Sequence, residues 1–477
     1  MEHVELCNKV LSYRGYNIAK DIISPDDLKN IKSELTVSPY IPEGYNQAPV
    51  LPFKLYQESS KRIYVPKCYG LKRFGMADMD KIAEGVDIQI EFNGKLRDYQ
   101  EEPVCRFMNA AHDPCRRGGI LNVYCGFGKT NLAIYIMCML KKKTIILCHK
   151  DFLLQQWKER IEVFAPAAKV GLLKAKVIDI EDKDVVLASL QSVAMKEYDA
   201  DIFKEFGFLI ADESHHLPAE VFSQALRKIN CKYSLGLTAT LQRKDGLSKV
   251  LKWYIGDVVF KATKRNDQVQ VNMLDYYDPN PSYSLECKGY NNKLNVSKMI
   301  NNICEFEPRS KFIVEQVKML LNKEPCRRLI ILSDRRNHLE RLHQLLSANN
   351  IENAFYVGGM KQSELKESES KKVILATFHI ASEGFDCPGL DTLILASPKS
   401  DVVQCVGRIQ RIPQHLRKNI PLVIDIVDNF SLFAKQAQKR LKYYKSCKYD
   451  IDGADMFVSF QKVQLTGQCF IHDDSCC

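Results

Sequence analysis

The chain has 477 residues, of which 45% are hydrophobic and 26% charged, enough for about two to four domains with cores of their own and too apolar for wholesale disorder. A formal net charge of +10 favours a polyanionic partner. No stretch approaches the roughly 20 apolar residues of a membrane span, and residues 1–16 lack the apolar stretch of a signal peptide, so no membrane partner is expected.

Residues 1–90 show no strong strand–helix rhythm, and Pro39, Pro42, Pro49 and Pro52 mark loops. This segment is expected to be a smaller N-terminal accessory, DNA-contact domain. Within it, RIYVPKCYGLKRFG at 62–75 interleaves aromatics with cations. It reads either as a nucleic-acid contact or as a solvated basic face.

Across 91–264 strand-like and helix-like segments alternate, with candidate strands at 120–124, 144–148, 185–189, 208–211 and 233–237 and helices at 131–140 and 152–163. That alternation predicts an α/β lobe around a parallel sheet. After the first strand comes Cys125-Gly126-Phe127-Gly128-Lys129-Thr130. Strand, glycine-rich turn, Lys-Thr and helix form a phosphate-cradling arrangement. Gly126 and Gly128 let backbone N–H groups turn toward anionic oxygens, and the helix N-terminus adds partial positive charge. Lys129 is expected to reach the terminal phosphates and Thr130 to take a magnesium position. The full motif has glycine where this chain has Val123.

Downstream, an apolar run ends in Asp212-Glu213-Ser214-His215. Carboxylates at the C-terminal end of a parallel strand lie where ligands bind. Asp212 is expected to hold magnesium and Glu213 to orient and deprotonate the attacking water. The adjacent His215 and His216 have the wrong geometry to share one metal. Together the two boxes predict nucleoside triphosphate hydrolysis.

Residues 265–302 are polar and are expected to act as a linker, although 268–277 alternates enough to form a strand. A second α/β lobe is expected over 303–462, with strands at 328–333, 354–357, 373–377, 392–396 and 422–427. Near its end stands Gln404-Cys405-Val406-Gly407-Arg408-Ile409-Gln410-Arg411. On a helix, Arg408 and Arg411 would share a face with Gln404. They read either as arginine fingers for a developing phosphoryl charge or as a basic helix end. The tail, 463–477, carries Cys469, His472, Cys476 and Cys477. Metal binding and a disordered end are both open there. The 17 cysteines of the chain are expected to be reduced thiols in a reducing compartment.

The order of these boxes resembles the superfamily 2 helicases and translocases over roughly 92–428. Leu96-Arg97-Asp98-Tyr99-Gln100 resembles the box that precedes the phosphate loop in the DNA-acting branch. Cys148-His149-Lys150 and Ala188-Ser189-Leu190-Gln191-Ser192 resemble first-lobe boxes, and Thr238-Ala239-Thr240 the coupling box. Ser333-Asp334-Arg335, Ala376-Thr377 and Ser382-Glu383-Gly384-Phe385-Asp386 resemble second-lobe boxes, and the Gln404–Arg411 run the arginine-finger box.

Thr240-Leu241-Gln242-Arg243-Lys244-Asp245 is similar to a run of the XPB/UvsW-like DNA helicases, which carry glutamate where Lys244 stands. The whole chain resembles the poxvirus transcript-release DNA helicases.

The resemblance implies two tandem RecA-like lobes with ATP and Mg2+ bound between them. Arg97 and Gln100 would sit near adenine; Cys125, Phe127, Gly384, Asp386 and Gln404 would line the nucleotide site. His215, Thr238 and Thr240 would couple nucleotide state to the track, and His149, Gln191, Arg335 and Thr377 would contact nucleic acid. It implies a DNA-dependent ATPase of 3′-to-5′ polarity acting on single-stranded or duplex DNA. Its partners would be the viral RNA polymerase elongation complex and transcription factors, in the cytoplasm of an infected cell and packaged in the virion. An RNA helicase and a duplex translocase that strips proteins without unwinding are the alternatives.

Overall fold

The structure is a computed structural model, which describes residues 7–39, 51–124, 126–212, 219–239, 247–262, 267–289, 292–382, 387, 389–412 and 414–454. The chain forms two compact units, Met1–Thr263 and Lys264–Cys477.

The first unit begins with β1 (Lys9–Ser12), β2 (Gly15–Ala19), α1 (Pro25–Glu34), β3 (Thr36–Val37), β4 (Phe53–Lys54), β5 (Gln57–Glu58), β6 (Arg62–Val65), α2 (Lys67–Phe74) and β7 (Met79–Asp80). Five of these strands form a small sheet, β5-β6-β2-β1-β7. The module has no separate core. Tyr16, Ile18 and Tyr69 belong to one buried cluster with Leu226, Ile229 and Tyr254 of the adjoining lobe. Lys67 is 3% exposed and its ammonium donates to the carbonyls of Cys231 at 2.7 Å and Lys232 at 3.2 Å. Burial depresses its pKa. The basic–aromatic segment is therefore mixed in character: Lys67, Cys68, Tyr69 and Leu71 are interior, and Lys72 and Arg73 face outward.

The lobe itself runs α3 (Asp98–His112), β8 (Gly118–Asn122), α4 (Lys129–Leu140), β9 (Thr144–Cys148), α5 (Asp151–Phe164), β10 (Val170–Lys174), β11 (Val177–Asp179), β12 (Val185–Ser189), α6 (Leu190–Met195), β13 (Phe208–Asp212), α7 (Ala219–Lys228), β14 (Tyr233–Thr238), α8 (Ser248–Ile255) and β15 (Val258–Lys261). The sheet order is β11-β10-β12-β9-β13-β14-β8-β15, parallel except for the antiparallel edge pair β10–β11. β9 and β13 are buried along their whole length, as central strands covered on both faces must be.

The second unit runs β16 (Gln270–Tyr276), α9 (Val296–Glu305), α10 (Glu307–Lys323), β17 (Leu329–Ser333), α11 (Arg336–Ala348), β18 (Asn353–Tyr356), α12 (Gln362–Ser368), β19 (Val373–Thr377), α13 (Phe378–Ser382), β20 (Thr392–Leu395), α14 (Val403–Arg408), β21 (Leu422–Asp428), α15 (Ser431–Ser446) and β22 (Asp450–Asp452). Its sheet, β18-β19-β17-β20-β21-β16-β22, is parallel throughout. Residues 265–302 are thus more than a linker. β16 pairs with β21 over seven residues, from Gln270↔Leu422 to Tyr276↔Asp428. Its alternating apolar residues place Val271 and Met273 in the lobe core.

Both units are parallel-sheet α/β lobes of RecA-like type. Two buried ion pairs hold the second lobe. Arg309, fully buried, forks onto Asp428 at 2.7 and 2.8 Å and donates to Ala396 O at 2.6 Å. Arg440 forks likewise onto Asp425 at 2.8 Å on both arms. No helix among the described residues is long and apolar enough to cross a membrane.

Candidate nucleotide site

The parallel register brings three boxes to one edge of the first sheet. β14 lies between β8 and β13, pairing Thr238 with Asn122 and Leu237 with Asp212. Strands in a sheet lie about 4.8 Å apart. The C-terminal ends carrying the glycine-rich loop, Thr238 and Asp212 therefore stand abreast, with Asp212 two strands from the loop, roughly 10 Å.

The loop is shaped by its glycines. Gly128 caps α4 in the left-handed region, at φ +90° and ψ 40°, a conformation open to glycine at little cost. A Cβ there would also meet Gln100 Nε2 at 2.5 Å. Lys129 and Thr130 open the 12-residue helix α4, whose N-terminus carries partial positive charge.

Gln100 and Phe127 are both anchored within the first lobe. Gln100 is 3% exposed; its Nε2 donates to Phe127 O at 2.8 Å, and its Oε1 accepts from the Arg97 N–H at 3.0 Å. It braces the loop through backbone groups. Phe127 is 3% exposed and its ring packs among Tyr99, Tyr124 and Phe260 at centroid distances of 5.0 to 6.3 Å. The side chain anchors the loop to the core. Arg97 is exposed and donates to Tyr99 Oη at 2.6 Å.

Asp212 is 8% exposed and accepts a hydrogen bond from Trp157 Nε1 at 2.9 Å. Trp157, 2% exposed on α5, was not foreseen in the site. It is one of two tryptophans in the chain, and its rarity on an apolar helix face was the available signal. Cys148, at the end of the neighbouring β9, has its thiol pKa raised by burial and then by the Asp212 charge. His149 follows Cys148 and is 8% exposed, so its ring lies within the lobe. Gln191 is exposed at the start of α6. Cys125, Glu213, His215, His216 and Thr240 lie outside the described residues, as do Gly384, Asp386 and the 463–477 tail.

In the second lobe Ser333 pairs with Thr377, which brings Arg335 and half-buried Thr377 to one sheet edge. Arg335 is held by Ser297 Oγ at 2.9 Å and by Asn301 Oδ1. The arginine-finger box departs from the expected helix. α14 stops at Arg408, so Arg411 lies beyond it, and the shared helical face with Gln404 extends only to Arg408. Arg408 is 6% exposed, and its Nε donates to Ala381 O at 2.6 Å. Gln404 and Arg411 are half-buried. No group of three or more His, Cys, Asp or Glu side chains among the described residues is arranged to hold a metal ion.

Residues 93–243 match the family described as "Type III restriction enzyme, res subunit", and residues 312–413 match "Helicase conserved C-terminal domain". A protein of Acanthamoeba polyphaga mimivirus described as "Putative ATP-dependent RNA helicase" is 35% identical over 92% of this chain and 85% of its own. A protein of African swine fever virus with the same description is 26% identical over 84% of this chain and 83% of its own. Among solved structures, S. cerevisiae Dbp5 bound to RNA and ADP BeF3 superposes with a TM-score of 0.52 at 14% identity, covering 78% of this chain and 93% of that one, a likeness of fold alone. With both family matches in chain order and a relative alike over nearly its whole length, the chain belongs to the superfamily 2 helicases, as an ATP-dependent helicase.

Proposed function

We propose that this helicase translocates on DNA with 3′-to-5′ polarity and releases nascent transcripts from a viral RNA polymerase elongation complex. The reading places it in the cytoplasm of infected cells and in the virion. The observation that carries the ATPase part is the alignment of the Lys129 loop, Thr238 and Asp212 on three adjacent strand ends. DNA as the track is supported by the order of the boxes, by the net charge of +10 and by relatives encoded by large DNA viruses.

The residues suit a magnesium nucleotide: a helix N-terminus capped by a left-handed glycine and a buried carboxylate two strands away. Bound ATP supplies the phosphoanhydride bond. In this reading Gly126, Gly128 and the start of α4 cradle phosphates, Lys129 takes the terminal charge, and Thr130 and Asp212 hold magnesium. Glu213 takes a proton from the attacking water, and Arg408 and Arg411 answer the developing phosphoryl charge. Thr238, Thr240 and His215 link this chemistry to the track. Gln191, Arg335, Thr377 and His149 are assigned to the nucleic acid, held mainly through phosphates and so with steep salt dependence.

A second reading, RNA as the track, is favoured by the descriptions of both viral relatives. ATPase activity with single-stranded DNA, duplex DNA and RNA, each across a salt titration, decides between them. Stimulation by DNA well above RNA supports the proposal; preferential stimulation by RNA overturns it.

A further inference from the structure

We propose that a groove at the opposite end of the first sheet is a second nucleic-acid contact, which takes the phosphate backbone of a single strand. The groove encloses about 970 Å³ between the N-terminal module and the lobe. Gly118, the first residue of β8, lines it, as does Asp257, which precedes β15. The phosphate loop leaves β8 from its other end, after Asn122. The groove is therefore separate from the nucleotide site and from the strand ends that carry Thr238, His149 and Gln191.

Its chemistry is that of a phosphate-binding surface. Lys72, Arg73, Arg106, Arg116, Lys249 and Lys252 line it, against two carboxylates, Glu34 and Asp257. These cations come from α2, α3, the turn after α3, and α8, so they surround the groove instead of forming one stripe. Four of them have carboxylate partners, and all four pairs are at least partly solvent-exposed. Lys72–Asp257 at 2.8 Å has side chains 71% and 56% exposed, and Arg106–Glu102 at 2.9 Å has side chains 59% and 61% exposed. Exposed pairs of this kind add little to stability, so a phosphate can exchange for the carboxylate at little cost. Lys249 and Lys252 are exposed on α8, and neither forms an ion pair among the described residues.

An aromatic wall completes the groove. Trp253 is half-buried and meets Tyr69 edge-to-face at 5.6 Å and 87°; the Lys249 ammonium lies 5.1 Å from its ring centre. Tyr69 is fixed by a 2.8 Å hydrogen bond to Glu34. A positively charged channel with a fixed aromatic surface is how single strands are held without sequence preference: cations on phosphates, a base against a ring. A small anion needs only one or two of the six cations. Their spread around the groove favours an extended polyanion, and the indole favours one that carries bases over an acidic polypeptide.

The test uses the full chain without ATP. Binding of fluorescent single strands of about 8 nucleotides, within one site size, and about 40 nucleotides is measured by anisotropy across a salt series. Wild type is compared with Lys249→Glu/Lys252→Glu, whose melting temperature and basal ATPase should be unchanged. The expected result is about tenfold weaker binding of the long strand and a salt slope smaller by about 1.4, with the short strand bound as before. Unchanged long-strand affinity and slope would overturn the proposal. So would an unchanged long strand accompanied by loss of poly-glutamate binding, which would assign the groove to an acidic polypeptide. Because the readout needs no turnover, it is independent of whether DNA or RNA stimulates the ATPase.

Discussion

Trp157 donates its indole N–H to Oδ2 of Asp212 over 2.9 Å, inside a lobe where both side chains are buried. The bond engages Oδ2 and restricts how the carboxylate can turn. Trp157→Phe keeps most of the apolar bulk but removes the donor. The variant should fold, with ATPase at limiting magnesium reduced about tenfold, equivalent to about 1.4 kcal/mol, and partial recovery at high magnesium. A magnesium titration of turnover, alongside a thermal melt, checks this. A magnesium dependence identical to wild type would show that the indole does not orient Asp212.

Gly128 should be intolerant of a side chain for two separable reasons. Gly128→Ala places a methyl 2.5 Å from Gln100 Nε2 and forces alanine to φ +90°, a strain of about 1–3 kcal/mol. Nucleotide binding should be lost. Adding Gln100→Ala relieves the collision but not the backbone strain, so the double variant should regain stability only in part. Gln100→Ala by itself should loosen the loop and weaken nucleotide affinity. Calorimetric unfolding and nucleotide titration of the three variants measure these terms.

Glu213→Gln should retain nucleotide binding while turnover falls at least about 100-fold, the scale of general-base catalysis. Near wild-type hydrolysis in a single-turnover experiment would remove Glu213 from its assigned role.

Arg309 and Asp428 are coupled by two bonds in a site with no solvent access. Arg309→Met leaves the buried carboxylate without a counter-charge, its remaining side-chain partner being Tyr283 Oη at 2.6 Å, and should destabilise the second lobe by about 3–5 kcal/mol. Arg309→Met/Asp428→Leu should recover much of that, since a buried pair and an apolar replacement are often close in stability. Denaturant unfolding of the two variants tests the order.

His338 gives the second lobe a pH dependence of defined sign. Burial, then the nearby Arg309 charge, pushes its pKa down to about 3, and the ring is bonded to Ser333 Oγ at 3.0 Å. Between its ordinary value near 6.5 and about 3, the unfolded chain binds a proton that the folded lobe refuses. Stability is therefore fully present above pH 6.5 and declines as the solution is acidified, by up to about 1.4 kcal/mol per pH unit from this group. His338→Gln should flatten that decline in melts between neutral and mildly acidic pH.

What the sequence made legible was local. The loop from Gly126 to Thr130 and the strands at 144–148, 185–189 and 373–377 were foreseen because their signals lie within a few residues. The helical face expected to carry both Arg408 and Arg411 stops short of Arg411, because helical spacing says nothing about where a helix ends, and α14 ends at Arg408. The hydrogen bond from Gln100 to the loop backbone 27 residues away was not foreseen, because no short-range pattern encodes it. Trp157 escaped notice because an indole on an apolar helix face looks like core until its N–H finds a carboxylate.

β16 is the first strand of the second sheet to be synthesised, yet it is inserted between β21 and β22, the last two. On the ribosome its hydrogen-bonding edges must therefore wait until nearly the whole lobe has emerged. The first lobe can close its eight-stranded sheet long before then. A long wait with open strand edges slows folding and exposes apolar surface. β8 of the first sheet waits in the same way for β14 and β15, so each lobe keeps open edges until its own last strands emerge, and a nascent chain stalled before residue 422 should be cleaved readily by protease beyond residue 264 while the completed first lobe resists.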